Sequence, residues 1–409
     1  MTTSTSFLNI RSEIGRLKAV MLHRPGRELE RITPQYLHEL LFEDIPWLKR
    51  MQEEHDLFAK VLRDSGCQVF YYQELLAEIM EDPKVKEHII REVLEKAKIS
   101  NPDLELLLKE FLVMKSAAHV AEICIAGLHK NDFFDIEREK RLVDYIKQEY
   151  PFYINPLPNL YFTRDPGTVI GHGLSINSMH TLARDRETMI LKYIYDFHPE
   201  FKKGVSPLLY NYDRGHSIEG GDVLVLGESI VAIGCSERTS PRGIEELTMS
   251  LFQKDEKIRE VIVIQIPSAR AYMHLDTVLT MIDHDKFIIY PGVEEKVRTF
   301  RLTPGKKAPR VESMKNLQTA LKESLGLSSI EFLRSGGGDE VTAAREQWND
   351  STNTLAIEPG VVVTYNRNEA SNETLRKGGI KVIEIEGSEL VRGRGGPRCM
   401  SMPLVREEI

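Results

Sequence analysis

The sequence predicts an α/β fold with an all-helical segment set into it, and three observations carry the prediction. Residues 16–75 alternate strand, helix and strand; about 75 further residues switch to helical periodicity; from residue 151 short β runs return. Several of those later runs begin or end at a small turn that holds an acidic residue, which hints at one α/β module repeated around a common centre.

Taken in order, RLKAVMLHR (16–24) is a β run that stops at Pro25-Gly26, and Trp47 to Leu62 is amphipathic at helical spacing. After Ser65-Gly66, CQVFYY is a second β run, so the opening unit is β–α–β. Residues 75–150 are rich in Glu, Lys, Leu and Ile, broken at Asp82-Pro83 and Asn101-Pro102, and Asn101 before Pro102 with Glu105 behind it reads as a helix start. Beyond Pro151 the predicted β runs are YFTRDPGTVI, GDVLVLGESIVAIG, REVIVIQI, KFIIYPG, IEFLRSGG, NTLAIEPGVVVTYN and IKVIEIEG. Helical stretches ETMILKYIYDF, GIEELTMSLF and ESMKNLQTALKESL alternate with them. The acidic turns are FTRDPG, IEGGDV, MHLDTV and SGGGDE. The division expected is residues 1–74 with 151–409 as the β-bearing domain and 75–150 as an inserted helical bundle.

Composition narrows the function classes. The 409 residues, 41% hydrophobic, supply a large core, and 54 Lys+Arg against 62 Asp+Glu leave a net charge of −8. An acidic balance argues against coating nucleic acid or an anionic membrane. No apolar run approaches the roughly 18 residues of a spanning helix, and the first ten residues lack a basic leader and an apolar stretch, so the expectation is a cytoplasmic protein. Cys67, Cys124, Cys235 and Cys399 lie far apart with no C-x-x-C pair, which disfavours disulfides and zinc sites. His23, His38, His55, His172, His180, His198, His216 and His284 fit no HExxH spacing, so no metal site is expected. GxxxxGK[ST] and helix-opening GxGxxG loops are absent, which disfavours a phosphate cradle.

Four constellations can carry chemistry. In VRGRGGPRCMSMPL, Cys399 follows Gly393, Gly395, Gly396 and Pro397 and has Arg392, Arg394 and Arg398 beside it. Glycine lets such a loop move and cations favour a thiolate, so Cys399 reads as a nucleophile; a structural thiol beside a solvated Arg cluster fits the same spacing. His274 and Asp276 in YMHLD lie two apart, so an extended backbone turns both to one side, as a general acid/base and its carboxylate neighbour or as a locally bonded core histidine. Ile218-Glu219-Gly220-Gly221-Asp222 sets carboxylates at a tight turn, functional or merely solvated. Asn159-Leu160-Tyr161-Phe162-Thr163-Arg164-Asp165-Pro166 holds an Asp beside aromatics, a clamp for a cation or a plain Asp-Pro turn.

FTRDP, ARDRET, IEGGD, MHLD, SGGGDE, REQWND-TNTLAI and RGRGGPRCMSMPL, in that order after SEIGRLKAVMLHRPG, together resemble the motif series of bacterial arginine deiminases, and the likeness spans nearly the whole chain. The wider group is the guanidino-group-modifying enzymes. The resemblance implies a five-bladed, pseudo-symmetric α/β propeller with an inserted helical bundle. It implies hydrolysis of L-arginine to L-citrulline and ammonia through a covalent amidino-cysteine, without metal or cofactor. By resemblance Cys399 is the nucleophile, His274 the general acid/base, Glu219 its acidic partner, and Asp165 with Asp276 the carboxylates that grip the guanidinium. Asn159, Arg184 and Arg238 resemble the residues that hold the amino-acid end, Phe162 the wall beside its alkyl chain, and Arg394 a loop residue that closes the site; Arg186, two positions beyond Arg184, competes for its role. The family implies a homo-oligomer, with no nucleic-acid or membrane partner. Rival readings are an amidinotransferase or a dimethylarginine hydrolase of the same group, and a non-catalytic arginine-binding protein.

Overall fold

The computed structural model describes residues 6–99, 101–133, 142, 151–269 and 271–409. One strand arrangement recurs through it. A hairpin of two antiparallel strands is followed by a helix, and a third strand then returns parallel to the second. Gly167–Ile170, Gly173–Ile176 and Leu208–Tyr210 form one such sheet around the helix Asp185–Phe197. Val223–Gly227, Ile230–Cys235 and Glu260–Gln265 repeat it with the helix Pro241–Lys254. Leu279–Met281, Lys286–Ile289 and Glu331–Arg334 form the next with Leu317–Ser324. Leu355–Glu358, Val361–Tyr365 and Lys381–Ile385 follow with Glu369–Lys377. The helix is what a parallel return needs, since a short turn cannot carry the chain back to the strand's start.

The fifth unit is split between the ends of the chain. Leu17–Leu22 pairs antiparallel with Met402–Arg406 and parallel with Gln68–Tyr71, and Leu48–Asp64 is its helix. The last strand of the sequence thus completes the sheet begun by the first. Strands buried on both faces explain the continuous apolar runs, for example VVVTY at 361–365 and VIVI at 261–264, all buried.

The helices Tyr72–Ile79, Pro83–Ala97, Pro102–Val113 and Ala117–Ala126 occupy the first part of the segment read as helical, which then departs from that reading in the short strand Leu128–His129, paired antiparallel with Phe152–Ile154. Asn101 caps the third of these helices, accepting from the backbone N–H groups of Asp103 and Leu104. Their apolar faces, from Leu76 through Ile90 and Leu108 to Ile125, join one core with Val169, Ile190 and Val225. The remainder of the expected bundle, 134–141 and 143–150, lies outside the described residues. Among the described residues no helix is long and apolar enough to cross a membrane.

Three local expectations are corrected. YFTRDPGTVI is not one strand: Pro158–Tyr161 is a 3-10 turn and the strand is only Gly167–Ile170, because Pro158 and Pro166 remove donors a ladder needs. ESMKNLQTALKESL begins as the strand Arg310–Ser313, paired with Arg298–Thr303, and turns helical only at Leu317 after the Asn316 cap. Cys235 is half-buried rather than core, whereas Cys67 and Cys124 are buried; all four cysteines are free.

Candidate active site

Each of the five sheets sends the turn that leads into its first strand to the same place. Asp165 precedes Gly167–Ile170, Glu219 precedes Val223–Gly227, and His274 with Asp276 precedes Leu279–Met281. Asn353 precedes Leu355–Glu358 and Cys399 precedes Met402–Arg406. The backbone turns are tight for steric reasons. A Cβ on Gly220 would lie 2.0 Å from the Arg164 carbonyl oxygen, and one on Gly221 would lie 2.8 Å from the His274 ring. The His274–Asp276 turn is tied down by Asp222, whose Oδ1 accepts from the Leu275 N–H at 2.8 Å and whose Oδ2 accepts from the Ser236 hydroxyl at 2.6 Å.

The side chains meet in a water-poor pocket: Glu219 and Asp276 are fully buried and Asp165, His274 and Cys399 nearly so. His274 Nε2 is 2.7 Å from Glu219 Oε2, and its Nδ1 is 3.9 Å from Asp165 Oδ1. The other Glu219 oxygen accepts from the His180 N–H at 2.9 Å. Burial alone would strip the proton from His274, but the Asp165 charge and the Glu219 hydrogen bond outweigh it and raise the imidazole to about 10. Burial likewise opposes the Glu219 charge, and the His274 bond more than restores it, holding the carboxyl below its usual range. The pair is an imidazolium–carboxylate at neutral pH.

Cys399 faces acids. Its Sγ lies 3.6 Å from Asp276 Oδ2, which also receives Arg398 Nη1 at 2.8 Å. Burial, then the charges of Asp276, Asp165 and Asp350, push the thiol well above its ordinary value, while Arg398 pulls the other way. The basic flanks, which left the resting charge of the sulfur open, mostly point away from it. Arg392 turns outward to Asp44 and Glu389, and Arg394 stacks 3.5 Å from the Trp348 ring centroid. The loop is packed in this structure, with Arg394 buried at φ 65° and donating to the Ala271 carbonyl at 3.0 Å.

The remaining expected residues line the same cavity, about 30 Å³ and too small for an amino acid until the loop parts: Asn159, Phe162, Arg184, Arg238 and Arg394. Arg184, not Arg186, faces it; Arg186 donates to the backbone carbonyls of Cys124 and Asn155. Arg184 is already engaged, with Nη1 on Asp165 Oδ2 at 2.7 Å and Nε and Nη2 on Glu187. Arg238 is freer: its Nη2 touches Met273 Sδ at 3.4 Å and its Nε has no partner among the described residues. Asp276 Oδ1 is likewise a buried acceptor without a partner.

Sequence reasoning gave no role to Asn353, Met273 and Leu41, the last a cavity-lining residue at φ 59°, and singled out Asp222 in its turn without foreseeing that it ties down the His274–Asp276 turn. The acid of SGGGDE does not reach the site: Asp339 caps the helix Glu340–Trp348 at the surface. Asp165, Glu219 and His274 bring donor atoms within 4.8 Å of one another, a spacing suited to a cation. A larger cavity of about 740 Å³, lined by Arg27, Phe111 and His119, holds none of the residues above.

A family model described as arginine deiminase matches residues 38–406. An arginine deiminase of Bacillus cereus is 46% identical over 407 residues, covering 98% of this chain and 99% of its own. One of Streptococcus sanguinis is 46% identical over 409 residues, covering 99% and 100%. Among solved structures, an amidinotransferase of Microseira wollei superposes with a TM-score of 0.55 at 12% identity over 98% of each chain. A dimethylarginine dimethylaminohydrolase superposes with a TM-score of 0.51 at 15% identity, covering 94% of this chain and 99% of its own. Both likenesses speak for a shared mixed α/β fold.

Proposed function

The chain belongs to the arginine deiminase family and hydrolyses the guanidino group of arginine, and from that premise we propose that Cys399 carries the reaction as a covalent nucleophile. One observation carries the reading: a sulfur, an imidazolium and two guanidinium-sized carboxylates sit in one buried cavity with an acceptor, Asp276 Oδ1, left unsatisfied. A buried acceptor without a donor is costly, and a planar cation carrying several N–H groups is what relieves it.

The steps follow from the charges. Arginine's guanidinium stays protonated at physiological pH. Seated between Asp165 and Asp276, it offsets the negative field that keeps Cys399 protonated, so the thiol loses its proton to solvent as substrate binds. The Cys399 thiolate attacks the central guanidinium carbon and forms a C–S bond. The His274 imidazolium gives its proton to one nitrogen, the C–N bond breaks, and ammonia leaves from a positively charged amidino-thioether. Neutral His274 then takes a proton from water as the oxygen adds to the same carbon. Collapse of that adduct breaks the C–S bond, the hydroxyl proton passes to the departing sulfur and restores the thiol, and citrulline is left; ammonia acquires its proton from solvent. Glu219 keeps the imidazole oriented throughout and favours its charged form at the start and end of the cycle. At the amino-acid end, Arg238 is the cation with free capacity for the α-carboxylate, Asn159 also holds that end, Phe162 forms the wall beside the alkyl chain, Arg184 acts through Asp165, and Arg394 closes the loop.

The five like sheets support a five-bladed, pseudo-symmetric propeller built from residues 1–74 and 151–409, with 75–150 inserted as a helical bundle. Four free cysteines suit a reducing compartment, which supports a cytoplasmic location, and a homo-oligomer is carried over from the family resemblance. The test is direct. Purified protein given L-arginine alone should release citrulline and ammonium, whereas amidinotransfer would need an amine acceptor. Cys399→Ala should make no citrulline yet still bind arginine by calorimetry; near-native turnover by that variant would end the covalent reading.

A further inference from the structure

We propose that Asn353 is a catalytic residue: its side-chain amide fixes the Cys399 sulfur in its attack position and donates to it a hydrogen bond that favours the thiolate. The inference rests on Cys399 being the nucleophile.

The geometry is specific. Asn353 Nδ2 lies 3.0 Å from Cys399 Sγ, and Asn353 Oδ1 accepts from the Cys399 backbone N–H at 2.9 Å. The amide can face only one way. A backbone N–H can only donate, so the atom opposite it is the oxygen. The nitrogen is therefore on the sulfur side, where one of its hydrogens faces the Asp276 carbonyl at 3.4 Å. The second hydrogen is left for Sγ. The backbone completes the clamp, because the Cys399 carbonyl accepts from the Arg164 N–H at 3.1 Å. Asn353 is fully buried, so this contact does not compete with bulk water.

Its chemistry fits the deficit that the site creates. Acids surround Cys399, and among them an N–H aimed at the sulfur favours S⁻ over S–H, since hydrogen bonds to charged acceptors are the stronger ones. Its place in the fold fits as well. The turns before the first strands of the other four sheets each deliver a functional group to this cavity, and Asn353 is the group delivered by the remaining sheet. That turn starts at Asp350, a non-glycine residue at φ 58° whose carbonyl accepts from the Asn353 N–H at 3.0 Å. A left-handed conformation of this kind is held only where the surroundings enforce it.

The experiment compares wild type with Asn353→Ala and Asn353→Asp, using Cys399→Ser as background. Iodoacetamide alkylation without arginine, at a pH below the thiol midpoint, reports the thiolate fraction. Alanine should slow alkylation and kcat each by about ten- to a hundredfold, with KM for arginine within about threefold. The isosteric aspartate, which turns an oxygen toward sulfur, should slow both further. Alkylation and kcat within about twofold of wild type in both folded variants would overturn the proposal. In wild type carrying ¹⁵N-asparagine, the Asn353 side-chain resonance should shift when Cys399 is alkylated; an unmoved resonance would overturn it without any variant. Wild type that makes no citrulline while alkylation still depends on Asn353 would sink the nucleophile reading and spare the hydrogen bond.

Discussion

Glu219→Gln isolates one charge in the site, and its effect can be worked from the coordinates. Glu219 Oε2 contacts His274 Nε2 at 2.7 Å with both groups buried. Treated as unit charges about 4 Å apart at an effective dielectric near 20, the pair is worth roughly 4 kcal/mol. That is about 3 pH units of support for the imidazolium. Glutamine keeps the shape but cannot serve both neighbours. If its oxygen faces His274, its NH₂ meets the His180 N–H, and if its oxygen faces His180, its NH₂ meets the imidazolium N–H. Either orientation sets donor against donor, so the loss is not repaired. Asp165 and Asp222 remain and retain part of the charge, while burial works against it. The His274 value should therefore fall from about 10 by roughly 2–3 units. The sign follows: an elevated value keeps the general acid protonated up to high pH, and activity is lost as pH rises through it. A profile of kcat/KM for citrulline release should show the alkaline limb of Glu219→Gln moved down by that amount. The deficit should be mild near pH 6 and roughly ten- to a hundredfold near pH 9. An alkaline limb within about half a unit of wild type would refute the assignment of Glu219 as the support of the His274 charge.

Two further outcomes test the electrostatics and the sterics separately. Cys399 of the substrate-free enzyme should alkylate slowly at pH 7–8, as a thiol raised by burial and by Asp276, Asp165 and Asp350 must, and an inert guanidinium such as methylguanidine should speed the reaction at sub-saturating occupancy; no acceleration would argue that the bound cation does not activate the sulfur. Gly221→Ala should cost more than about a hundredfold in kcat because its Cβ would stand 2.8 Å from the His274 ring, while Gly227→Ala, which meets nothing within 4 Å, should leave kcat near wild type.

The sequence made Asp165, Glu219, His274, Asp276 and Cys399 readable because each stands in a turn whose neighbours are chemically marked. Pro166, the Gly220-Gly221 pair and the glycine-rich approach to Cys399 all announce a bend beside an apolar strand. Asn353 was unreadable for a matter of phase. SGGGDE carries the acidic-turn signature, but it follows the parallel third strand of its sheet, Glu331–Arg334, and so ends in a helix cap. The turn that leads to the site lies farther on, in Asp350–Thr354, where no glycine marks it. Charge pairing was hidden for another reason. Arg392, Arg394 and Arg398 look alike in sequence, yet tertiary packing sends them to Asp44, Trp348 and Asp276. Cations near a cysteine favour a thiolate without deciding it, and burial with the nearby acids tips the balance to the thiol.

That balance has a consequence for how the site selects its substrate. The acids that raise the Cys399 thiol include Asp165 and Asp276, the two proposed to hold the guanidinium. Recognition and activation are then one electrostatic event. A ligand of the right shape but without positive charge, citrulline above all, can occupy the cavity and still leave the sulfur protonated. Water and small electrophiles entering the empty pocket meet a thiol rather than a thiolate, so the nucleophile is guarded against adventitious modification. An arginine delivers a unit positive charge to the spot where the negative field is strongest, in a medium of low dielectric, and lowers the thiol by an amount set by its own binding. Such a site needs no permanently charged sulfur and gains by not having one: a resident thiolate beside Asp276 would add another buried anion to Asp165, Glu219 and Asp276 whenever the pocket is empty.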